Sequence, residues 1–311
     1  MCCRWCPHCR EDNPPKLERA LIGSAALRYR SRGLPISGIC RLTRNRIFQN
    51  YLMKSRVPVF HDLLGILRDA GYSFMTVIEI ASNLQLGRSL PSKTAVIRCD
   101  VDSDVRTAML MLEVASRQNV VMSWYWRLST LNSAAMLQMA HAGHENGYHF
   151  EELATIAKRK GATTQQDIER LLPEMRAAFC RNIEEKYAQA AGSLPRTLAS
   201  HGDFANRLLN QTNSILVDAS IREKYGIVAD ISHDKSIWSH FTRVFSDVEA
   251  PHWWVPSSPL VAPPSGRDVT YVLVHPRQYH ARVVENTMLD MRRVLEGAAY
   301  AVRRWVSARS K

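Results

Sequence analysis

No run of about 18 apolar residues occurs anywhere in the sequence, which excludes a membrane-spanning helix by hydropathy. The first residues lack an apolar core followed by a small-residue cleavage site, so no secretory signal is recognisable and cytoplasmic residence is the default expectation. Internal repeats and low-complexity tracts are also missing, which removes repeat architectures and biased linkers from consideration. Cysteine is scarce once the first nine residues are passed. Of seven in total, Cys2, Cys3, Cys6 and Cys9 crowd the start and only Cys40, Cys99 and Cys180 follow, a usage that argues against a disulfide framework.

What remains is ordinary for a globular chain. Hydrophobic residues make up 46% and charged residues 23% of 311 positions, enough for a sizeable core in one large α/β domain with appendages. The net charge of +12 is unevenly spread: residues 1–52 hold ten Lys or Arg against three Asp or Glu, giving +7, and the other 259 residues carry only +5. A nucleic-acid binder would show a basic stripe on a recognisable module. Neither occurs in residues 53–311, so no nucleic-acid partner is expected. Arg292, Arg293, Arg303, Arg304, Arg309 and Lys311 give the C-terminal helix a basic character, which reads first as a solvated face and otherwise as a peripheral contact with anionic lipid or nucleic acid.

Residues 1–52 are Arg-rich, interrupted by Pro14-Pro15 and Gly33-Leu34-Pro35, and weakly periodic. They are read as a poorly ordered basic extension or as material upstream of the true start, with residues 53–311 forming the folded barrel. Cys3, Cys6 and Cys9, with His8 nearby, resemble half of a zinc or iron–sulfur site, but Cys40 is the only further ligand close by.

From Val59 onward helical and extended patterns alternate. Helices are expected over 60–71, 105–116, 131–142, 163–190 and 281–307, and strands over 74–78, 96–99, 120–126, 196–200, 226–231, 253–256 and 269–275. Such alternation implies a parallel sheet, whose sites lie at the carboxyl ends of its strands. Asp100-Val101-Asp102 falls at such an end, and period-two geometry turns both carboxylates the same way. The same residues also suit a helix N-cap. Further polar clusters follow in Gly143-His144-Glu145-Asn146-Gly147-Tyr148-His149-Phe150-Glu151-Glu152, in Ala199-Ser200-His201-Gly202-Asp203, around Asp230, and at His275 after an apolar strand. A His following a Gly-rich turn suits metal ligation. His275, with an ordinary pKa near 6.5, suits acid catalysis at neutral pH.

This order of motifs resembles the polysaccharide deacetylase superfamily over residues 56–282, in a branch with Asp-Val-Asp and Gly-His-Glu-x-Gly-Tyr-His that is associated with surface polysaccharides. The resemblance implies a distorted (β/α) barrel of about seven parallel strands and a carbohydrate substrate. It implies Asp100 as general base, Asp102 and His149 as ligands of a divalent ion such as zinc, and His275 as acid toward the leaving amine. His201 and Asp230 would line the site and orient its groups. The family's second ligating His is replaced here by Leu153, so Glu152, Glu151 or His201 would have to substitute, with Glu152 the expected ligand. The leading expectation is therefore a metal-dependent hydrolase of carbon–nitrogen bonds, removing N-acetyl groups from an amino-sugar or glycan. The alternative is a catalytically impaired or metal-free relative that binds glycan or assists surface-polysaccharide synthesis. Trp124, Tyr125, Trp126, Trp253 and Trp254 offer either sugar-stacking faces or core volume.

Overall fold

The structure is a computed structural model that describes residues 47–309 apart from 251 and 262–265. All five cysteines before Cys99, and with them the metal reading of the N-terminal segment, lie outside the described residues.

Nine strands form one sheet: β1 (Ser73–Phe74), β2 (Lys93–Val101), β3 (Ser123–Trp126), β4 (Glu145–Phe150), β5 (Thr197–Ser200), β6 (Ala229–Asp230), β7 (Arg243–Asp247), β8 (Trp254–Val255) and β9 (Asp268–Val274). Seven of them run in the order β6-β5-β4-β3-β2-β9-β7, every neighbouring pair parallel, and the antiparallel β8 extends β7. The short β1 joins β2 ahead of β3. The sheet curls into a distorted α/β half-barrel, the class the motif order implied.

Its main helices are α1 (Val57–Asp69), α2 (Val77–Gln85), α3 (Val105–Arg117), α4 (Ser133–His141), α5 (Glu152–Lys160) and α6 (Gln165–Asn182), the last carried on by a π stretch at Ile183–Tyr187. Shorter helices are α7 (Phe204–Leu209), α8 (Ala219–Tyr225) and α9 (Lys235–Trp238), and α10 (Val283–Arg309) closes the described chain. No helix among the described residues is long and apolar enough to cross a membrane.

Strand parity divides the sheet into two faces. Ile97, Cys99 and Val101 of β2 join Trp124, Trp126, Tyr148 and Phe150 in the core beneath the helices. The opposite parity turns Arg98, Asp100, Tyr125, Glu145 and His149 toward the barrel interior, which is polar. Glu145 closes its floor: it accepts from Ser123 Oγ at 2.6 Å, from Thr197 Oγ1 and from the Ile78 amide at 3.1 Å, while Ser123 Oγ also receives the Val77 amide at 2.8 Å. Those amides open α2 and lack partners within the helix, so the sheet satisfies them. Burial raises the Glu145 carboxyl above its ordinary range.

The structure corrects several sequence boundaries. The extended reading of 74–78 fails because Thr76 and Glu79 form a capping box that starts α2 immediately after β1. Gly226, at φ +62°, ends α8, so the strand expected over 226–231 shrinks to β6. Strands β4 and β7 and helices α2, α5, α7, α8 and α9 have no counterpart in the expected elements. Trp124, Tyr125 and Trp126 are fully buried and Trp254 nearly so; Trp253 lies under the Arg56 guanidinium, 3.8 Å from its ring centre. These five aromatics therefore serve packing.

Gly147 is required by Tyr125. A Cβ there would press into the Tyr125 ring, which fills the barrel interior beside β4. Gly147→Ala is expected to destabilise the fold by roughly 1–3 kcal/mol through overpacking, read as a lower urea midpoint at unchanged slope.

Candidate active site

The carboxyl ends of β2, β4, β5, β7 and β9 bring Asp100, Asp102, His149, His201, Asp247 and His275 to one rim. Asp100 is deeply held. Arg98, two residues earlier on the same face, clamps it with Nε to Oδ1 and Nη2 to Oδ2, both at 2.6 Å. The pair is almost wholly buried, with Arg98 5% and Asp100 2% exposed, so each charge depends on the other. Burial works against the Arg98 charge, but Asp100 outweighs it and raises the guanidinium pKa. Tyr271 Oη, 3.2 Å from Arg98 Nη1, and the Tyr125 ring, 5.0 Å from the guanidinium carbon, hold the arginine from two further strands.

Asp102 lies just past β2, where its backbone turns tightly enough for its N–H to reach the Asp100 carbonyl at 3.0 Å. Its Oδ1 is 3.4 Å from His149 Nε2 and 3.7 Å from His201 Nε2. These three side chains form the group of metal-competent ligands found among the described residues, with ligand atoms within 4.8 Å of one another. The His149 and His201 rings meet edge to face, 5.1 Å between centroids.

The donor chemistry fits a cation. His149 Nδ1 donates to the Ala199 carbonyl at 2.9 Å, and this contact orients Nε2 toward Asp100 and Asp102. Asp102 Oδ1 is buried with no hydrogen-bond partner, an arrangement that wants a positive centre. Burial, aided by Arg127, His149 and Arg293, lowers the His201 pKa well below the ordinary imidazole value and keeps a lone pair available. Burial opposes charge on Asp102, yet His201, His149 and His275 hold its carboxyl well below the usual range. Glu151 backs His201 from 3.4 Å at Nδ1 and is itself held by Arg127.

His275 follows β9, with Nε2 3.9 Å from Asp100 Oδ2, the oxygen that His149 Nε2 approaches at 3.3 Å. Its Nδ1 and backbone N–H both reach Asp247, each at 2.6 Å. Burial disfavours the imidazolium, but Asp247, with Asp100 and Asp102 behind it, raises the pKa to about 9. A pocket of about 170 Å³ opens over this rim, lined by Asp100, Asp102, Asp247, His275 and, from α10, Arg293.

Two expected site residues are not brought to the rim. The Glu152 carboxylate accepts from Tyr148 Oη and, at 2.9 Å, from Asn182, because position 152 begins α5 and turns toward α6. Asp230 stands in register with helix-facing Leu198, so parity directs it away from the interior, and it accepts from the Ser232 amide at 3.0 Å. His144 lies at the opposite end of β4, where Nδ1 accepts the Met122 amide at 3.0 Å and burial lowers its pKa to about 4. Leu153 is fully buried in the core.

Sequence reasoning gave no role to Arg98 or Asp247. Both carry a readable signal. Arg98 shares parity with Asp100, and Arg243-Val244-Phe245-Ser246-Asp247 is a short run ending in a carboxylate, like β2.

No family model matches the chain, and no curated protein matches it. Two solved structures are similar to it. One is a Streptococcus pyogenes deacetylase, PplD, in complex with acetate: 12% identity, 51% of this chain and 69% of that chain covered, TM-score 0.36. The other is a family 4 acetyl xylan esterase from Clostridium thermocellum in complex with a cobalt ion: 15% identity, 64% and 84% covered, TM-score 0.30. At these scores the residues assigned above rest on their own geometry.

Replacing one member of the buried clamp leaves an uncompensated charge. Arg98→Ala is therefore expected to cost about 3–5 kcal/mol of unfolding free energy, measured by denaturant titration at neutral pH.

Proposed function

We propose that the protein is a metal-dependent hydrolase that removes an N-acyl group, in the first instance N-acetyl, from an amino-sugar or glycan. One observation carries the reading: a ligand trio of Asp102, His149 and His201 sits in the same rim as a clamped carboxylate and a charged imidazole. In this reading His201 supplies the imidazole that position 153 lacks, and Glu152 is left to its structural contacts. Two imidazoles and one carboxylate suit zinc, cobalt or manganese.

A divalent ion bound by the trio would polarise the acyl carbonyl and make its water a stronger acid. Asp100 accepts the water's proton, and Arg98 fixes the carboxylate in place for it. His275 donates from Nε2 to the departing nitrogen while Asp247 holds Nδ1 and stabilises the imidazolium. A leaving amine needs a proton more than a leaving alcohol does, and an acid with a pKa of about 9 remains charged throughout the neutral range. That favours an amide over an ester. The amino-sugar class enters through the order of motifs along the chain.

A non-catalytic, glycan-binding relative was favoured by Leu153 alone. The position of His201 beside Asp102 and His149 speaks for the catalytic reading over that one.

Purified protein is expected to bind about one zinc, cobalt or manganese ion and to release acetate from N-acetylated chitooligosaccharides. His201→Ala should weaken metal binding at least tenfold by calorimetry, and Asp100→Asn should lower kcat by about 100-fold or more while leaving metal affinity largely intact. Full activity of Asp100→Asn would sink the mechanism.

The acid is expected to set the alkaline limb. Because Asp247 raises the His275 pKa, the imidazolium is present below the limb and lost as pH rises through about 9. Asp247→Asn should move that limb of kcat/KM at least about one pH unit downward.

A further inference from the structure

Helix α10 turns one stripe of its surface toward the barrel. Asn286 and Tyr300 on that stripe are 1% and 2% exposed, and Asp290, one turn after Asn286, accepts Arg277 Nη2 at 3.0 and 3.1 Å and Asn50 Nδ2 at 2.8 Å. Arg293 comes three residues after Asp290 and so falls on the same side. It nevertheless stays exposed, since the space it borders is the pocket of about 170 Å³ that Asp100, Asp102 and His275 also line.

The other charges around that pocket are matched. Asp100 is clamped by Arg98, Asp247 meets His275, Arg277 is held by Asp290, and Asp102 faces His149 and His201. Glu249 lines the pocket past the end of β7 and is not among the charges that act most on Arg293. Arg293 itself makes no hydrogen bond and no ion pair among the described residues. Partial loss of water lowers its pKa, and Arg277 and Arg127 press the same way against Asp102 and Asp290. A guanidinium keeps its charge even so, and here it borders a pocket with no anion in contact. Arg127 adds to the positive field: Nη2 reaches Glu151, but Nε is buried without a hydrogen-bond partner.

We propose that Arg293 is the anion-binding residue of this pocket and that the amino-sugar taken there is acidic, seating a carboxylate or a phosphate on the guanidinium. The inference rests on the hydrolase reading for the sugar and on α10 for its charge. A planar guanidinium offers two parallel N–H donors to either group, so one side chain suits both. A second fixed point in the pocket that holds the reacting groups would orient the sugar as well as select it.

Full-length protein supplied with zinc is titrated by calorimetry with N-acetylglucosamine, N-acetylglucosamine 6-phosphate and N-acetylmuramic acid, and acetate release from each is followed in parallel. At least one acidic sugar is expected to bind about tenfold or more tighter than the neutral one, and which of them does so tells phosphate from carboxylate. The preference should fall to about twofold or less in Arg293→Gln and persist in Arg292→Gln, whose side chain pairs with Glu296. Arg293 is exposed, so its variant should keep the thermal midpoint. Failure of the unaltered chain to prefer either acidic sugar overturns the proposal. A preference that survives in Arg293→Gln also overturns it, assigning the anion to the ligand trio or to Arg277. Preference without acetate release from any of the sugars leaves Arg293 assigned and removes the hydrolase reading instead, whereas acetate release without preference does the reverse.

Discussion

A carboxylate buried in a barrel stays charged only if a cation is buried with it, and the pairing of Asp100 with Arg98 is the constraint around which the rest is arranged. Arg98 must reach Asp100 from its own strand, so the space beside it has to be filled by groups that tolerate a guanidinium. Tyr125 and Tyr271 do so, one through its ring face and the other through its hydroxyl. Tyr125 in turn needs the bare backbone of Gly147, and its hydroxyl passes to Thr197 and thence to Glu145 at the floor. A glycine in β4 thereby supports a carboxylate in β2.

Around that fixed carboxylate the imidazoles are differentiated by what each Nδ1 meets. His149 meets a backbone carbonyl, His201 a carboxylate held by an arginine, and His275 a fully buried carboxylate. The first two turn Nε2 toward Asp102. The third carries a proton beside Asp100 Oδ2. One ring type thus meets three different backing groups, and the sheet sets which.

Much of this layout was legible in the sequence, and the limits follow from geometry. The α/β alternation and the positions of Asp100, Asp102, His201 and His275 at strand ends could be read from short apolar runs followed by polar residues, whereas His149 stands out through the Gly-rich turn before it, its strand β4 being too polar to show as an apolar run. What the runs do not disclose is facing. Asp230 ends a strand too, but its register with Leu198 turns it outward, and Glu152 leaves the rim because a helix begins there. Strand β7 is short and partly polar, so Asp247 escaped notice although it backs His275. The capping box at Thr76 was overlooked because the apolar residues around it also suit a strand.

The two ends of the barrel interior answer acid in opposite senses. Asp102 at the rim has a depressed pKa, so its stabilising charge is present above the usual carboxylate range and is lost as pH falls through its folded value. Glu145 at the floor has a raised pKa, so its buried charge is a cost at neutral pH that protonation relieves. The two carboxylates therefore bear on stability in opposite senses as pH falls: the contribution of Asp102 at the rim is lost, and the cost of Glu145 at the floor is relieved.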